Sequence, residues 1–142
     1  MPAINLYFKV HQPYRLKQYL PKDVEVSHVY EDAVSDEEII NTVANNCYLP
    51  ANAVLLSLIK KYKGQFKVSF SISGVVLELL QRYRPDVIAQ FRDLAETGNV
   101  EILAETYYHS LSYLHSKKEF RRQIEKHSRL IKELFGIQPT VF

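Results

Sequence analysis

Three groups of side chains in this sequence could do chemistry by type and spacing. They are the histidine of His11-Gln12-Pro13, two acids in "VEILAET" (100–106), and two further histidines in "YYHSLSYLH" (107–115). His11 ends an alternating run, with Leu6, Phe8 and Val10 on one side and Asn5, Tyr7 and Lys9 on the other. A period of two marks a half-buried strand, and Pro13, which has no N–H to give a ladder, closes it. His11 thus stands at the C-terminal end of a strand on its polar face. A plain surface histidine closing a strand fits the same pattern, and the other strands must decide.

Glu101 and Glu105 share one face of their strand and suggest a carboxylate pair. Four residues at about 3.3 Å each put them roughly 13 Å apart. Sugar hydrolysis by two carboxyls needs about 5–5.5 Å for retention or about 6.5–9.5 Å for inversion, so these two cannot be each other's catalytic partner on a regular strand. Each can bind substrate or meet an acid from a neighbouring strand; each can equally be a buried acid paired with Lys9 or Lys67. His109 and His115 lie six residues apart, not the i, i+4 spacing of a helical metal pair. With His11 they number three, yet nothing in the spacing selects a metal site, and a strand-end histidine donating hydrogen bonds to a sugar fits better. Tyr14, Tyr19, Tyr107, Tyr108 and Tyr113 fall in loops after strands. Such rings suit the apolar faces of sugars, or else pack the loops.

The elements that position these groups follow from pattern and punctuation. The stretch between Pro13 and Asp36 is too long for an ordinary connection. Asp36, Glu37 and Glu38 open a helix expected to run to about Cys47, and Pro50 begins a second. "FKVSFSIS" (66–73) is the second strand, broken by Gly74; helices follow over "VVLELLQRY" and "PDVIAQFRDLAETG". "VEILAET" is the third strand. A helix over about 117–135 buries Phe120, Ile124, His127, Ile131 and Leu134, and "QPTVF" starts a fourth strand. Strands alternating with helices predict an α/β fold with a parallel sheet. Such a sheet is usually apolar on both faces, but here one face carries Lys9 and His11, Ser71 and Ser73, and Glu101 and Glu105. The expected solution is a barrel-like sheet, polar inside toward one end, with helices outside. The working residues of such barrels sit at the C-terminal strand ends, where His11, Ser73 and Glu105 fall. An open sheet with one wet face is the alternative.

Composition narrows the class. The 142 residues are 46% apolar and 24% charged with net charge +2, an ordinary globular balance with no global pull toward nucleic acid or anionic membrane. Cys47 is the single cysteine, which excludes an internal disulfide and Cys-based zinc sites. The N-terminus has neither a basic n-region nor a long apolar stretch, so a cytoplasmic, soluble protein without cofactor is expected. The basic run 117–132 is interrupted by Glu119 and Glu125 and reads as a solvated helix face.

Taken together, "LYFKVHQPYRL", "FSISG" (70–74), "GNVEIL" (98–103) and "ETYYHSL" (105–111) resemble glycoside hydrolase family 57, in its α-amylase-like branch. The resemblance runs over essentially the whole chain. It implies a distorted (β/α)7 barrel, retaining chemistry on α-glucan or maltooligosaccharide, and no metal requirement. It also implies that His11 and Glu101 shape the subsite holding the sugar; Gln12, Tyr107 and His109 carry over only by lying within the motifs. The family's nucleophilic glutamate and acid/base aspartate fall beyond Phe142. By the resemblance, the chain is the N-terminal part of the barrel, about half of it, and by itself inactive. A non-catalytic carbohydrate-binding fragment or pseudo-enzyme, losing its sugar on Glu101→Ala, is the alternative. Unpaired sheet edges would favour self-association. A metal-dependent polysaccharide deacetylase would need an aspartate near the first strand's end and paired histidines later, and neither is visible.

Overall fold

A computed structural model describes residues 4–142. Three strands form one parallel sheet in the order β1-β2-β3, with β1 at Leu6–Val10, β2 at Val68–Ile72 and β3 at Val100–Ile102. The central strand is the most apolar on its helix-facing side, and Val68, Phe70 and Ile72 are buried there. Phe70 meets Phe91 edge-on at 5.4 Å. Around them Leu77, Leu80, Val87, Leu94 and Ile131 lose essentially all solvent contact, each contributing about 1.5–3 kcal/mol by burial. The edge strand β1 is less covered: Val10 is buried, but Phe8 stays 37% exposed.

The helices are α1 (Ala33–Val43), α2 (Leu49–Lys61), α3 (Gly74–Tyr83), α4 (Pro85–Glu96) and α5 (Lys117–Phe135). The second helix begins as expected, with Pro50 in its first turn, but no non-helical gap separates it from the first. Instead α1 passes into α2 through a π turn, Ala44–Tyr48, in which Leu49 N–H bonds the Ala44 carbonyl. Pro50 cannot donate to the carbonyl four residues back, and its ring crowds that carbonyl; one widened turn relieves both problems without ending the helix. Arg84 braces the widened turn, donating to the side-chain oxygen of Asn45 at 2.8 Å. The helix also starts earlier than the acids at 36–38 imply. Asp32 is the N-cap, accepting from Ser35 N, while Asp36 is buried and accepts from Arg15 N at 2.8 Å.

α5 matches the expected span, and its chain leaves through Gly136 at φ +70°, a conformation glycine adopts without cost. His127, Ile131 and Leu134 are buried as expected, with Phe120 and Ile124 half-buried. β3 is shorter than its sequence run. After Leu103 N bonds Phe70 O at 2.8 Å, the next amide, Ala104 N, turns to Val141 O at 2.7 Å. Among the described residues, that one bond is all that forms of the expected fourth strand. The long 11–32 segment folds back on itself, closed at its base by Lys17 N to Tyr30 O and Asp32 N to Arg15 O.

Candidate functional site

Parallel register fixes which polar residues meet. Lys9 pairs with Ser71, Tyr7 with Ser69, and Ser69 in turn with Glu101. One step past the ladder, Ser73 N bonds Val10 O at 3.1 Å, which brings Ser73 beside His11. Ser73 then caps α3 by accepting from Val76 N. Strand end, helix start and histidine therefore come together at one point.

His11 Nδ1 lies 2.6 Å from Ser73 Oγ. Ser73 is fully buried and already accepts from Val76 N. Satisfying both roles of its hydroxyl requires the O–H to donate to Nδ1, which assigns the proton of neutral His11 to Nε2. Burial, and then the neighbouring His109 and Lys9, lower the His11 pKa below its ordinary 6.5, so the ring is neutral at pH 7. The His109 ring lies 4.4 Å from it, centroid to centroid. His109 adopts φ +52°, a left-handed conformation that histidine tolerates better than most residues. Its turn is held by His109 N to Thr106 O at 2.9 Å.

Glu105 is the acid at this end. It is buried, paired through Oε2 with Lys9, and 3.5 Å from His109 Nδ1. Lys9 also donates to Ser71 Oγ at 3.1 Å. The second carboxylate oxygen of Glu105, Oε1, is buried with no hydrogen-bond partner. A cleft of about 720 Å³ opens here, lined by Tyr7, Lys9, Ser71, Glu105, His109 and Ser110 on its polar side and by Leu111, Tyr113, Phe120 and Phe142 on its apolar side. Few convergent polar groups against an apolar wall is the usual make-up of a ligand site. Among the described residues no group of three His, Cys, Asp or Glu side chains is placed to hold a metal ion.

The residues singled out by sequence divide. His11 and His109 come together, and Glu105 joins them, paired with Lys9 as one of its two sequence readings allows. Glu101 does not. It lies on the same face but level with Tyr7, about 13 Å along the strand from the His11 row. It is exposed and lines a separate cleft of about 560 Å³ near the strand starts, with Asn5, Lys67 and Gln138. Gln12 is engaged in its own loop, accepting from Arg15 Nη2 at 2.7 Å. Tyr107 is buried behind the site instead of facing the cleft. Its hydroxyl donates to Glu78 Oε1 at 2.5 Å and Lys126 Nζ sits over its ring at 3.5 Å. Burial and the Glu78 carboxylate push its pKa well above the usual phenol range, so it remains a donor. Of the loop tyrosines, Tyr113 lines the cleft and Tyr14 joins Tyr107 on Glu78, at 2.7 Å. Sequence reading missed Glu78 because an acid on a helix surface carries no signal of its own.

Comparison with known proteins agrees with this frame. The sequence profile of Glycosyl hydrolase family 57 matches residues 5–142. A Methanocaldococcus jannaschii protein named "Putative alpha-amylase" is 42% identical over 98% of this chain and 30% of its own length. An α-amylase from Pyrococcus horikoshii is 30% identical over 76% of this chain and 14% of its own. The chain thus spans less than a third of either relative. The structure of 4-α-glucanotransferase from Thermococcus litoralis superposes with a TM-score of 0.66 at 19% identity, covering 95% of this chain and 17% of that one. This likeness bears out the expected fold class: α/β, parallel strands with outer helices, as in part of a (β/α)7 barrel. With the family profile matching all but the first four residues, the chain belongs to glycosyl hydrolase family 57.

Proposed function

We propose that the protein is a retaining, α-amylase-like enzyme acting on α-glucans, and that residues 4–142 supply part of the subsite gripping the sugar. The observation that carries this reading is the cleft at the C-terminal strand ends, lined by Glu105, whose Oε1 is buried beside it without a partner. Leaving such an oxygen unbonded costs about 1–3 kcal/mol. A turn of the carboxylate toward the cleft lets a sugar hydroxyl donate to it and removes that cost. The Lys9 ammonium donates to a neighbouring hydroxyl, and Tyr113, Leu111 and Phe120 cover the C–H face of the ring. His11 does not line the cleft, but its ring lies 4.4 Å from that of His109, which does, so a sugar reaching past His109 meets the His11 Nε2–H. The names borne by the relatives, α-amylase and glucanotransferase, support an α-glucan as substrate.

Retention takes two carboxyls about 5–5.5 Å apart, and among the described residues Glu105 is the single acid lining the cleft. The covalent and proton-transfer steps therefore fall to the glutamate and aspartate expected beyond Phe142. The same observation favours a second reading for these residues taken alone: carbohydrate binding without turnover. A cytoplasmic location belongs to the same proposal, since the one cysteine, Cys47, is exposed and free.

Calorimetric titration with maltoheptaose, alongside product analysis, tests the assignment. Glu105→Gln should weaken binding about tenfold, the worth of one buried charge-assisted hydrogen bond, and Glu101→Gln should leave it nearly unchanged. Loss confined to Glu101→Gln would move the site to the other cleft. No binding by the unaltered protein at millimolar sugar would end the proposal.

A further inference from the structure

We propose that Glu78 is a positioning residue for the sugar site, a single carboxylate that joins the loop after β1 to the loop after β3 and sets the distance between His11 and His109. The inference rests on the reading that this cluster binds sugar. Glu78 lies on α3 and touches neither histidine. Its Oε2 accepts from Tyr14, three residues beyond His11, at 2.7 Å; its Oε1 accepts from Tyr107, two residues before His109, at 2.5 Å. Because α3 begins at the Ser73 cap that also binds His11, the clamp is built on the same helix that fixes the first imidazole.

Tyr107 is placed to transmit this constraint. Its ring lies so close to Gly74 that a Cβ there would come within 2.5 Å of it. Its carbonyl accepts from Val75 N at 3.3 Å. Lys126 Nζ stands over the ring and 3.6 Å from Glu78 Oε1, so the carboxylate has a cation beside it as well as two phenols. Two residues on, His109 keeps its left-handed backbone, a conformation that persists only where the surroundings over-determine it. The anchored Tyr107 is such a surrounding. Without Glu78 the two loops lose their common acceptor, and the rings now 4.4 Å apart lose one of the constraints that keep them so.

The test uses the protein labelled at histidine side chains, comparing Glu78→Ala with Glu78→Gln. Two quantities are read: the NOE between the His11 and His109 rings, and maltoheptaose affinity. Glu78→Ala should abolish the NOE and weaken binding about tenfold. Glu78→Gln, whose amide oxygen still accepts from a phenol, should restore the NOE and most of the affinity. If Glu78→Ala fails to fold, the Tyr14→Phe/Tyr107→Phe double variant removes both donors, leaves the carboxylate, and should lose the NOE likewise. An NOE that survives in the folded Glu78→Ala or double variant overturns the proposal, as does a Glu78→Gln protein no better than Glu78→Ala. If the unaltered protein binds no maltoheptaose, the sugar reading fails while the NOE still decides the clamp.

Discussion

Replacing Gly74 by alanine sets two effects against each other. Gly74 is the first residue of α3, and alanine is the better helix former by up to about 1 kcal/mol; backbone preference alone makes the change neutral or stabilising. The Tyr107 ring reverses the sign. An added Cβ would meet its Cγ, Cδ2 and Cε2 at 2.5 Å, against about 3.5–4.0 Å for carbon atoms in normal contact, so the ring must retreat by about 1 Å. That retreat stretches its bond to Glu78 and disturbs the Lys126 contact. Overpacking of this kind costs about 1–3 kcal/mol, and a weakened bond to a charged acceptor adds part of its roughly 1.5–3 kcal/mol. Gly74→Ala should therefore destabilise by about 2–4 kcal/mol, read from urea unfolding followed by far-UV circular dichroism. In a Tyr107→Ala background the same change should cost less than about 0.5 kcal/mol, because the ring that blocks the methyl is gone. A Gly74→Ala protein as stable as the parent refutes the reasoning, and so does a cost that persists without the ring.

Other consequences follow from the same contacts. Lys9→Met strands the buried Glu105 carboxylate. Breaking a fully buried pair costs about 3–5 kcal/mol and a surface one about 0–1; with the Lys9 side chain 31% exposed, about 2 kcal/mol is expected in urea melts, and a neutral substitution would contradict the pairing. Burial lowers the pKa of His127 and, with help from His109 and Lys9, that of His11. The unfolded chain therefore binds more protons from pH 6.5 downward, and stability should fall with pH through that window until the lowered folded-state values are passed. Thermal melts between pH 7.5 and 5 measure this, His127→Gln should flatten the slope, and melting temperatures that do not change with pH would count against it. Residues 1–142 prepared alone present β1 as an unpaired edge with Tyr7 and Phe8 exposed, which favours strand-to-strand association. Light scattering should detect oligomers; a monodisperse monomer with a cooperative melt is the contrary result.

Much of this site was legible because a parallel sheet is a strict geometry. Alternation assigns Lys9, His11, Ser71 and Ser73 to one face, and Pro13 and Gly74 mark where the strands stop, so pattern alone places His11, Ser73 and Glu105 at one end. What alternation cannot say is where β3 stops. The run "VEILAET" reads as seven strand residues, but the ladder ends near Ile102 when Ala104 turns to Val141. Which of two equivalent-looking acids reaches the strand-end cluster depends on that departure. Pro50 marks a helix start in sequence and lies in the first turn of α2, but nothing local signals that a π turn joins that helix to α1 without a gap. Glu78 and the inward burial of Tyr107 depend on how two loops cross one helix, a long-range contact with no local signature.

If one glucose unit lies between His11 and Glu105, a crystal structure with maltotetraose bound should show a glucosyl hydroxyl within about 3 Å of Glu105 Oε1 and another at His11 Nε2. Sugar bound instead beside Glu101 and Lys67, with the Glu105 oxygen still unpartnered, would contradict that placement.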